Sequence, residues 1–207
     1  MGGVMQIAIL LDGDFTRRIL ERKIGHRPSV AELEVSCKRL GHLGEDIVGV
    51  YFYDCPPFAE TRPLPVSRRD FDFSSTRVYH RAQAFQHDLK HNPFFTYRAG
   101  HLSFDGWQLK QESIDRLIKK PGPLTDEDFV PVLSQKQVDM KIGLDVAKLA
   151  IDKKVGRILL ATSDADFVPA ISFARSKNIE MVLVSDLPAI KYSKGVLLKA
   201  FNSHRTM

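Results

Sequence analysis

Cysteine is nearly absent from the 207 residues: only Cys37 and Cys55 occur, too few for a disulfide framework or a four-cysteine zinc site. Long apolar runs are missing as well. The run at residues 7–11 is too short for a signal peptide or a membrane span, so the expectation is a cytoplasmic chain with no membrane partner. No glycine-rich phosphate loop is present, and Gly41-His-Leu-Gly44 reads as a helix end. There is no internal repeat, no low-complexity tract and no Gly/Ser-rich linker. The length suits one sizeable core, which predicts a single domain over 1–207 with one large insertion at about 54–120. Charge of one sign does not dominate either: 30 Lys and Arg against 25 Asp and Glu give +5. If several acids gather at one site, the remaining surface is more basic than that total, which fits a polyanionic partner.

What is present is a repeated pattern of an apolar run that stops at acids. Ile158-Leu-Leu-Ala-Thr-Ser-Asp164-Ala-Asp166 reads as a buried strand delivering two carboxylates, with Asp166 opening the helix that follows. Near the start, Ile7-Ala-Ile-Leu-Leu11 ends in the same way at Asp12-Gly13-Asp14. In open α/β sheets ligands bind at such strand ends, so two of them suggest one shared cation site.

Between these strands, apolar spacing at Phe15, Ile19 and Leu20 predicts a short helix ending near Gly25. Its other face carries Arg17, Arg18, Arg22 and Lys23, either a solvated surface or a face for phosphate. Ser29 with Glu32 is a capping box for a second helix to about Gly41, and residues 47–53 read as the second strand. The region from Asp54 to about Lys120 mixes prolines, arginines and aromatics. Within it, residues 94–104, Asp105-Gly106 and residues 107–109 read as a β-hairpin. Its interleaved basic and aromatic residues can hold single-stranded nucleic acid, although packing the insertion is the commoner use of such aromatics.

Gln137 to Ile151 is predicted as a helix with Val138, Ile142, Val146 and Leu149 on one stripe. Asp145 points into the middle of that stripe and Asp139 lies on its edge. As a crossover helix it begins at the C-terminal edge of the strands, which brings Asp139 to the site and leaves Asp145 roughly 9 Å further along the axis. Asp145 is then either a ligand or the local partner of Lys141 or Lys148. A buried strand at 180–184 and a partly helical stretch at 187–201 complete an alternation that favours a parallel sheet with helices on both faces.

The candidate donors are Asp12, Asp139, Asp164 and Asp166, with Asp14 and Asp145 as additions. They are all hard oxygens, which points to Mg²⁺ or Mn²⁺ and not to zinc. So many converging carboxylates repel one another unless a divalent ion neutralises them. Mg²⁺ completes its shell with water and phosphate oxygens, so phosphodiester hydrolysis follows from the donor set. Ser163, Lys136, Arg17 and Asp14 are the candidate substrate contacts. Ser163 is equally suited to cap the next helix.

Three blocks together resemble the NYN domain family of the PIN-like nuclease superfamily: Leu11-Asp12-Gly13-Asp14-Phe15; Lys136-Gln-Val138-Asp139 with Asp145 six residues on; and Ser163-Asp164-Ala-Asp166-Phe167-Val-Pro169 before a helix ending at Ala174-Arg175. The resemblance implies a PIN-like three-layer α/β/α sandwich with a central, mostly parallel sheet and an inserted β-hairpin region. It also implies metal-dependent RNA cleavage at Asp12, Asp139, Asp164 and Asp166, with DNA as the alternative substrate. The pattern sets no oligomeric state. Many members carry Asn three residues after the first Asp, where this chain has Phe15, and Asp14 stands in for it in part.

Two rival readings share these residues. A non-cleaving nucleic-acid-binding NYN module is one. The other is a haloacid dehalogenase-like phosphatase, because Asp12-Gly-Asp14-Phe-Thr16 also spells D-x-D-x-T, with Asp12 as nucleophile. That reading leaves Val138-Asp139 unexplained. His87-Asp-Leu-Lys-His91 is superficially similar to H-E-x-x-H, but Asp is shorter than the Glu of such hydrolases and no third ligand is evident.

Overall fold

The computed structural model describes residues 3–186 and 195–207. The chain divides into two compact units, one of residues 1–54, 87–99 and 137–207, the other of residues 55–86 and 100–136.

The first unit is built on six strands: β1 (Met5–Asp12), β2 (Glu45–Asp54), β5 (Thr96–Ala99), β8 (Arg157–Ala161), β9 (Glu180–Ser185) and β10 (Ser203–Thr206), in the spatial order β10-β9-β8-β1-β2-β5. Every pairing among them is parallel, so the sheet is fully and not just mostly parallel. Residues 7–11 of β1, 158–161 of β8 and 181–184 of β9 are completely buried. Continuous apolar runs form these strands because helices cover both faces, which removes the alternation an exposed face imposes.

Those helices are α1 (Gly13–Ile24), α2 (Val30–Leu40), α5 (Val138–Asp152), α6 (Val168–Ser176) and a last short helix, Gly195–Ala200. Helix α1 begins at once after β1, capped by Asp12, and ends at Gly25, whose φ of 80° only glycine adopts without strain. Ser29 and Glu32 form the expected capping box of α2. In α5 the buried stripe is Val138, Ile142, Val146 and Ala150, with Leu149 only half-buried. Of the helical stretch expected at 187–201, residues 187–194 lie outside the described residues. This first unit is a PIN-like α/β/α sandwich. Among the described residues no helix is long and apolar enough to cross a membrane.

The second unit holds two antiparallel pairs, β3 (Thr61–Pro63) with β4 (Asp70–Asp72) and β6 (His101–Leu109) with β7 (Phe129–Lys136), and helix α4 (Gln111–Lys119). Helix α3 (Arg77–His91) passes from this unit into the first. The hairpin expected to turn at Asp105-Gly106 does not form there. Gly106, at φ 114°, instead sits at a register break inside β6, whose partner is β7. A positive-φ glycine serves a bulge as well as a two-residue turn, and sequence cannot separate the two. Residues 94–104 likewise split, with Thr96–Ala99 becoming the edge strand β5. The aromatics of the second unit pack one another: Phe58, Phe71, Phe73, Phe104 and Trp107 stand in pairs with ring centroids 5.0–6.1 Å apart, and Arg62 lies 5.6 Å from both Phe58 and Phe104.

An ion network closes the other edge of the parallel sheet. Glu45 receives both arms of Arg205 at 2.6 and 2.7 Å and also pairs with Arg157, which reaches Glu180 at 2.6 Å. Glu45 and Arg205 side chains are at most a tenth exposed, so removing the anion takes the ion-pair partner from a buried Arg205, while Arg157 keeps Glu180. We expect Glu45→Gln to lower the unfolding free energy by about 3–5 kcal/mol, the usual cost of breaking a buried pair, measured by urea denaturation. A loss below 1 kcal/mol would show that the network is solvent-screened.

Candidate functional site

Parallel register fixes the first contact of the site. Leu11 of β1 stands opposite Ala161 of β8, so Asp12 and the turn after Thr162 leave neighbouring strands at the same sheet edge, with strands ~4.8 Å apart. This is also where the sheet order reverses, since β2 and β5 extend from β1 on one side and β8, β9 and β10 on the other. Open α/β sheets form their ligand crevice at such a switch point.

Each acid is held by its own backbone. Asp12 is half-buried, and its Oδ1 accepts from Asp14 N at 3.1 Å and Phe15 N at 3.2 Å. Asp164 caps a 3₁₀ turn, Ala165–Phe167, by accepting from Asp166 N at 2.9 Å, and its own N–H donates to the buried Thr162 hydroxyl at 3.0 Å. The cap is therefore Asp164, whereas Ser163 is exposed. Asp166 sits inside that turn and does not open α6. Asp139 lies in the first turn of α5, which packs against β1, β2 and β5. Just before it, Gln137 adopts φ 71°, a left-handed conformation that costs a non-glycine residue strain.

Charge links these acids. Burial, together with the charges of Asp14 and Asp139, pushes Asp12 up to about 6 against the hydrogen bonds from Phe15 and Asp14. Asp139 is raised by its own desolvation and by Asp164 and Asp166. Asp12 thus feels Asp139, and Asp139 feels Asp164 and Asp166. Among the described residues, none of these four forms an ion pair, whereas Asp14 binds Arg18 at 3.0 Å and Asp54, Asp145 and Asp186 have arginine partners.

Asp145 has a different environment from the other candidate ligands. Its Oδ2 accepts from the Tyr53 hydroxyl at 2.8 Å and from Arg98 Nε at 3.1 Å. The partner considered from sequence, Lys141, instead donates to the Ala99 carbonyl. Burial and the Asp145 hydrogen bond hold the Tyr53 hydroxyl far above its usual range. Arg17 is also occupied: it is paired with Asp54 through both arms and lies 5.9 Å from the Phe52 ring. Its guanidinium works against burial, but Asp54, Asp14 and Asp12 together raise its pKa. Arg22 binds Asp186 at 2.9 Å and Lys23 donates to the Met207 carbonyl at 2.7 Å, so the basic face of α1 is largely used internally. Lys136 belongs to the second unit, where its charge acts on Asp105.

Tyr53, Asp54 and Arg98 were missed from sequence. The signal was available for one of them, since β2 is a third strand ending in an acid. Tyr53 stands opposite both Asp12 of β1 and Arg98 of β5 in register, which ties the three strand ends together. Gly13 is needed at this level, because a Cβ there would meet the Tyr53 carbonyl oxygen at 2.6 Å. An open cavity of about 540 Å³ lies elsewhere, at the start of β9, lined by Arg175, Asn178, Glu180 and Asn202.

The donor set suits a hard cation. Among the described residues no three acidic, histidine or cysteine side chains stand close enough to enclose a cation unaided. Mg²⁺ asks for less than that, one or two carboxylates with water and phosphate oxygens filling the rest. One or two of these aspartates have the donor chemistry for such an ion. Helix α1 starting at Gly13 leaves no extra turn after D-x-D-x-T of the kind a phosphatase cap needs.

Burial makes a pH prediction for the metal-free chain. Because the folded pKa of Asp12 lies above its unfolded value of 3.8, its contribution to stability is fully present below about pH 4 and is lost as pH rises through about 6. Asp12→Asn keeps a capping oxygen and removes the charge. In chelator at pH 8 it should stabilise the protein by up to about 3 kcal/mol, at ~1.4 kcal/mol per pKa unit, with the gain vanishing near pH 4. Thermal melts across pH check this, and a destabilised variant at pH 8 would contradict it.

The comparisons with known proteins bear on family and fold. The NYN domain model matches residues 68–202, which include Asp139, Asp145, Asp164 and Asp166 but not the first strand. An uncharacterized protein of Methanocaldococcus jannaschii is 29% identical over 80 residues, covering 39% of this chain; the match spans about a third of that relative's length, 32%. A crystal structure of a protein of unknown function from Vibrio parahaemolyticus superposes with a TM-score of 0.55 at 13% identity, over 100% of this chain and 95% of that one, and shows the shared fold. With well over half of its length matched by the family model, the chain belongs to the NYN domain family, a family of PIN-like nuclease domains.

Proposed function

We propose that the chain is a metal-dependent ribonuclease that hydrolyses RNA phosphodiester bonds, and that residues 55–86 and 100–136 are an insertion within one NYN domain. The observation that carries this reading is the electrostatic coupling of Asp12 to Asp139 and of Asp139 to Asp164 and Asp166, acids that form no ion pair among the described residues. These four would hold Mg²⁺ or Mn²⁺. When bound, such an ion supplies Lewis-acid stabilisation of phosphoryl charge and lowers the pKa of an attacking water.

The chain's own residues do the rest. Capping bonds from Asp14 N and Phe15 N, and from Asp166 N, hold the carboxylates of Asp12 and Asp164 in fixed directions before any ligand arrives. The exposed Ser163 hydroxyl, beside Asp164, would donate to a phosphate oxygen. Asp145, bound to Tyr53 and Arg98, acts in this reading as an anchor for α5 and so for Asp139, not as a ligand. Arg17, clamped by Asp54, anchors α1 in the same way. A second reading, a nucleic-acid-binding module that does not cut, draws on Phe15, which is buried in the core where many members carry Asn.

Labelled single-stranded RNA, structured RNA and DNA, incubated with Mn²⁺, Mg²⁺ or chelator, discriminate these. We expect cation-dependent RNA cleavage, reduced at least about a hundredfold in Asp164→Asn, the loss expected when several kcal/mol of charge stabilisation goes. Binding should survive that substitution. Cleavage that persists in chelator overturns the proposal, retained binding with no cleavage by the unaltered chain selects the second reading, and an acyl-phosphate trapped on Asp12 selects the phosphatase.

A further inference from the structure

The last turns of α3 carry a feature that the carboxylate site does not use. His87 and His91 are both exposed, one helical turn apart, with ring centroids 4.2 Å from each other. His91 Nδ1 lies 3.0 Å or less, at 2.8 Å, from the His87 carbonyl oxygen. A carbonyl only accepts, so this nitrogen carries the proton and His91 Nε2 carries the lone pair. His87 Nδ1 faces Asp88 Oδ1 at 3.5 Å, an electrostatic contact that favours a proton on the same nitrogen. Both imidazoles are therefore biased toward the tautomer that leaves Nε2 as the electron-pair donor. Metal-ligating histidines are set up this way, with the remote N–H turned to a carbonyl or a carboxylate.

The neighbouring groups leave the pair open. Lys90 directs its ammonium to the Tyr97 ring, 4.9 Å away, and not to the histidines. The turn itself is anchored, because Leu89 is completely buried and Asn92, next after His91, donates to Glu34 at 2.7 Å. A fixed backbone holds the two rings side by side at i and i+4, the spacing that puts both on one helix face.

We propose that His87 and His91 form a two-imidazole chelate for a borderline divalent metal ion, Cu²⁺, Ni²⁺ or Zn²⁺, with water in the remaining positions. Imidazole suits these ions and not Mg²⁺ or Mn²⁺, so the site is chemically orthogonal to the carboxylate cluster and independent of the function proposed above. Two protein ligands, with no third among the described residues, make it a clamp on the end of α3 and not a hydrolytic zinc centre. The bound ion links residues i and i+4 and so resists fraying of this turn.

The test uses the full chain titrated with Cu²⁺ alone, followed by electron paramagnetic resonance and calorimetry, and with Zn²⁺ in thermal melts. The expected result is one tight Cu²⁺ per chain with coupling from two imidazole nitrogens, not displaced by excess Mg²⁺. His87→Ala and His91→Ala should each weaken binding by about tenfold or more and leave one coupled nitrogen, while Asp88→Asn weakens it by about tenfold or less. His80→Ala, an exposed histidine elsewhere on α3, should bind as the unaltered chain does. Zn²⁺ should raise the melting temperature of the unaltered chain and of neither His variant. Circular dichroism should show all variants folded, since these side chains are exposed. Unchanged binding in His87→Ala or His91→Ala, an equal loss in His80→Ala, or displacement by Mg²⁺ would overturn the proposal.

Discussion

Parallel register of the buried strands β1 and β8, which brings their acidic ends to one sheet edge, is the constraint around which the candidate site of the first unit is organised. Asp12 and Asp164 leave β1 and β8 side by side because those strands are parallel and in register, and Asp139 joins them from the first turn of a crossover helix. Acids free to move would separate. Here they cannot, because β1 and β8 are buried on both faces and Asp12 and Asp164 are each tied to backbone N–H groups. The sheet's hydrophobic burial thus offsets an electrostatic cost that stays local to the site.

Four other aspartates of the same unit are paired with arginine. Asp54 is clamped by Arg17, Asp145 by Arg98 with Tyr53, Asp14 by Arg18 and Asp186 by Arg22. Arginine suits these positions because its planar fork can satisfy both carboxylate oxygens, as at Asp54. Acids lacking such a partner are those that gain most from an external cation. Among the acids proposed as ligands, the contrast between Asp14 and Asp145, which are paired with arginine, and the other four narrows the donor set. It also gives Asp145 a structural role that its spacing from Asp139 does not suggest.

Much of this architecture was legible in the residues, and for a definite reason. Runs such as 158–161 and 7–11 have no polar alternation, and only a strand covered on both faces tolerates that. Ser29 with Glu32, and Gly25, mark helix ends through local hydrogen bonds and local φ, so reading them needs no tertiary context. Asp105-Gly106 failed for the complementary reason: a positive-φ glycine satisfies both a tight turn and a bulge, and pairing with β7, more than twenty residues away in sequence, decided between them. The aromatics of residues 55–136 were ambiguous between stacking on bases and packing on one another, and Phe58, Phe73, Phe104 and Trp107 pack together. Asp54 and Arg98 were passed over because their significance lies in contacts 37 and 47 residues distant in the chain.

The sequence by itself determined the strand–acid–helix units, the hard-oxygen character of the candidate donors and the resemblance to the NYN family, because each is carried by residue type and short-range order. Only the tertiary structure decided which acids share a field and which are neutralised. Coulomb interactions depend on separation in space and on burial, and neither is written in spacing along the chain. Asp139 and Asp145 lie on one helix, yet Asp139 faces Asp164 and Asp166 while Asp145 is held by Tyr53 and Arg98.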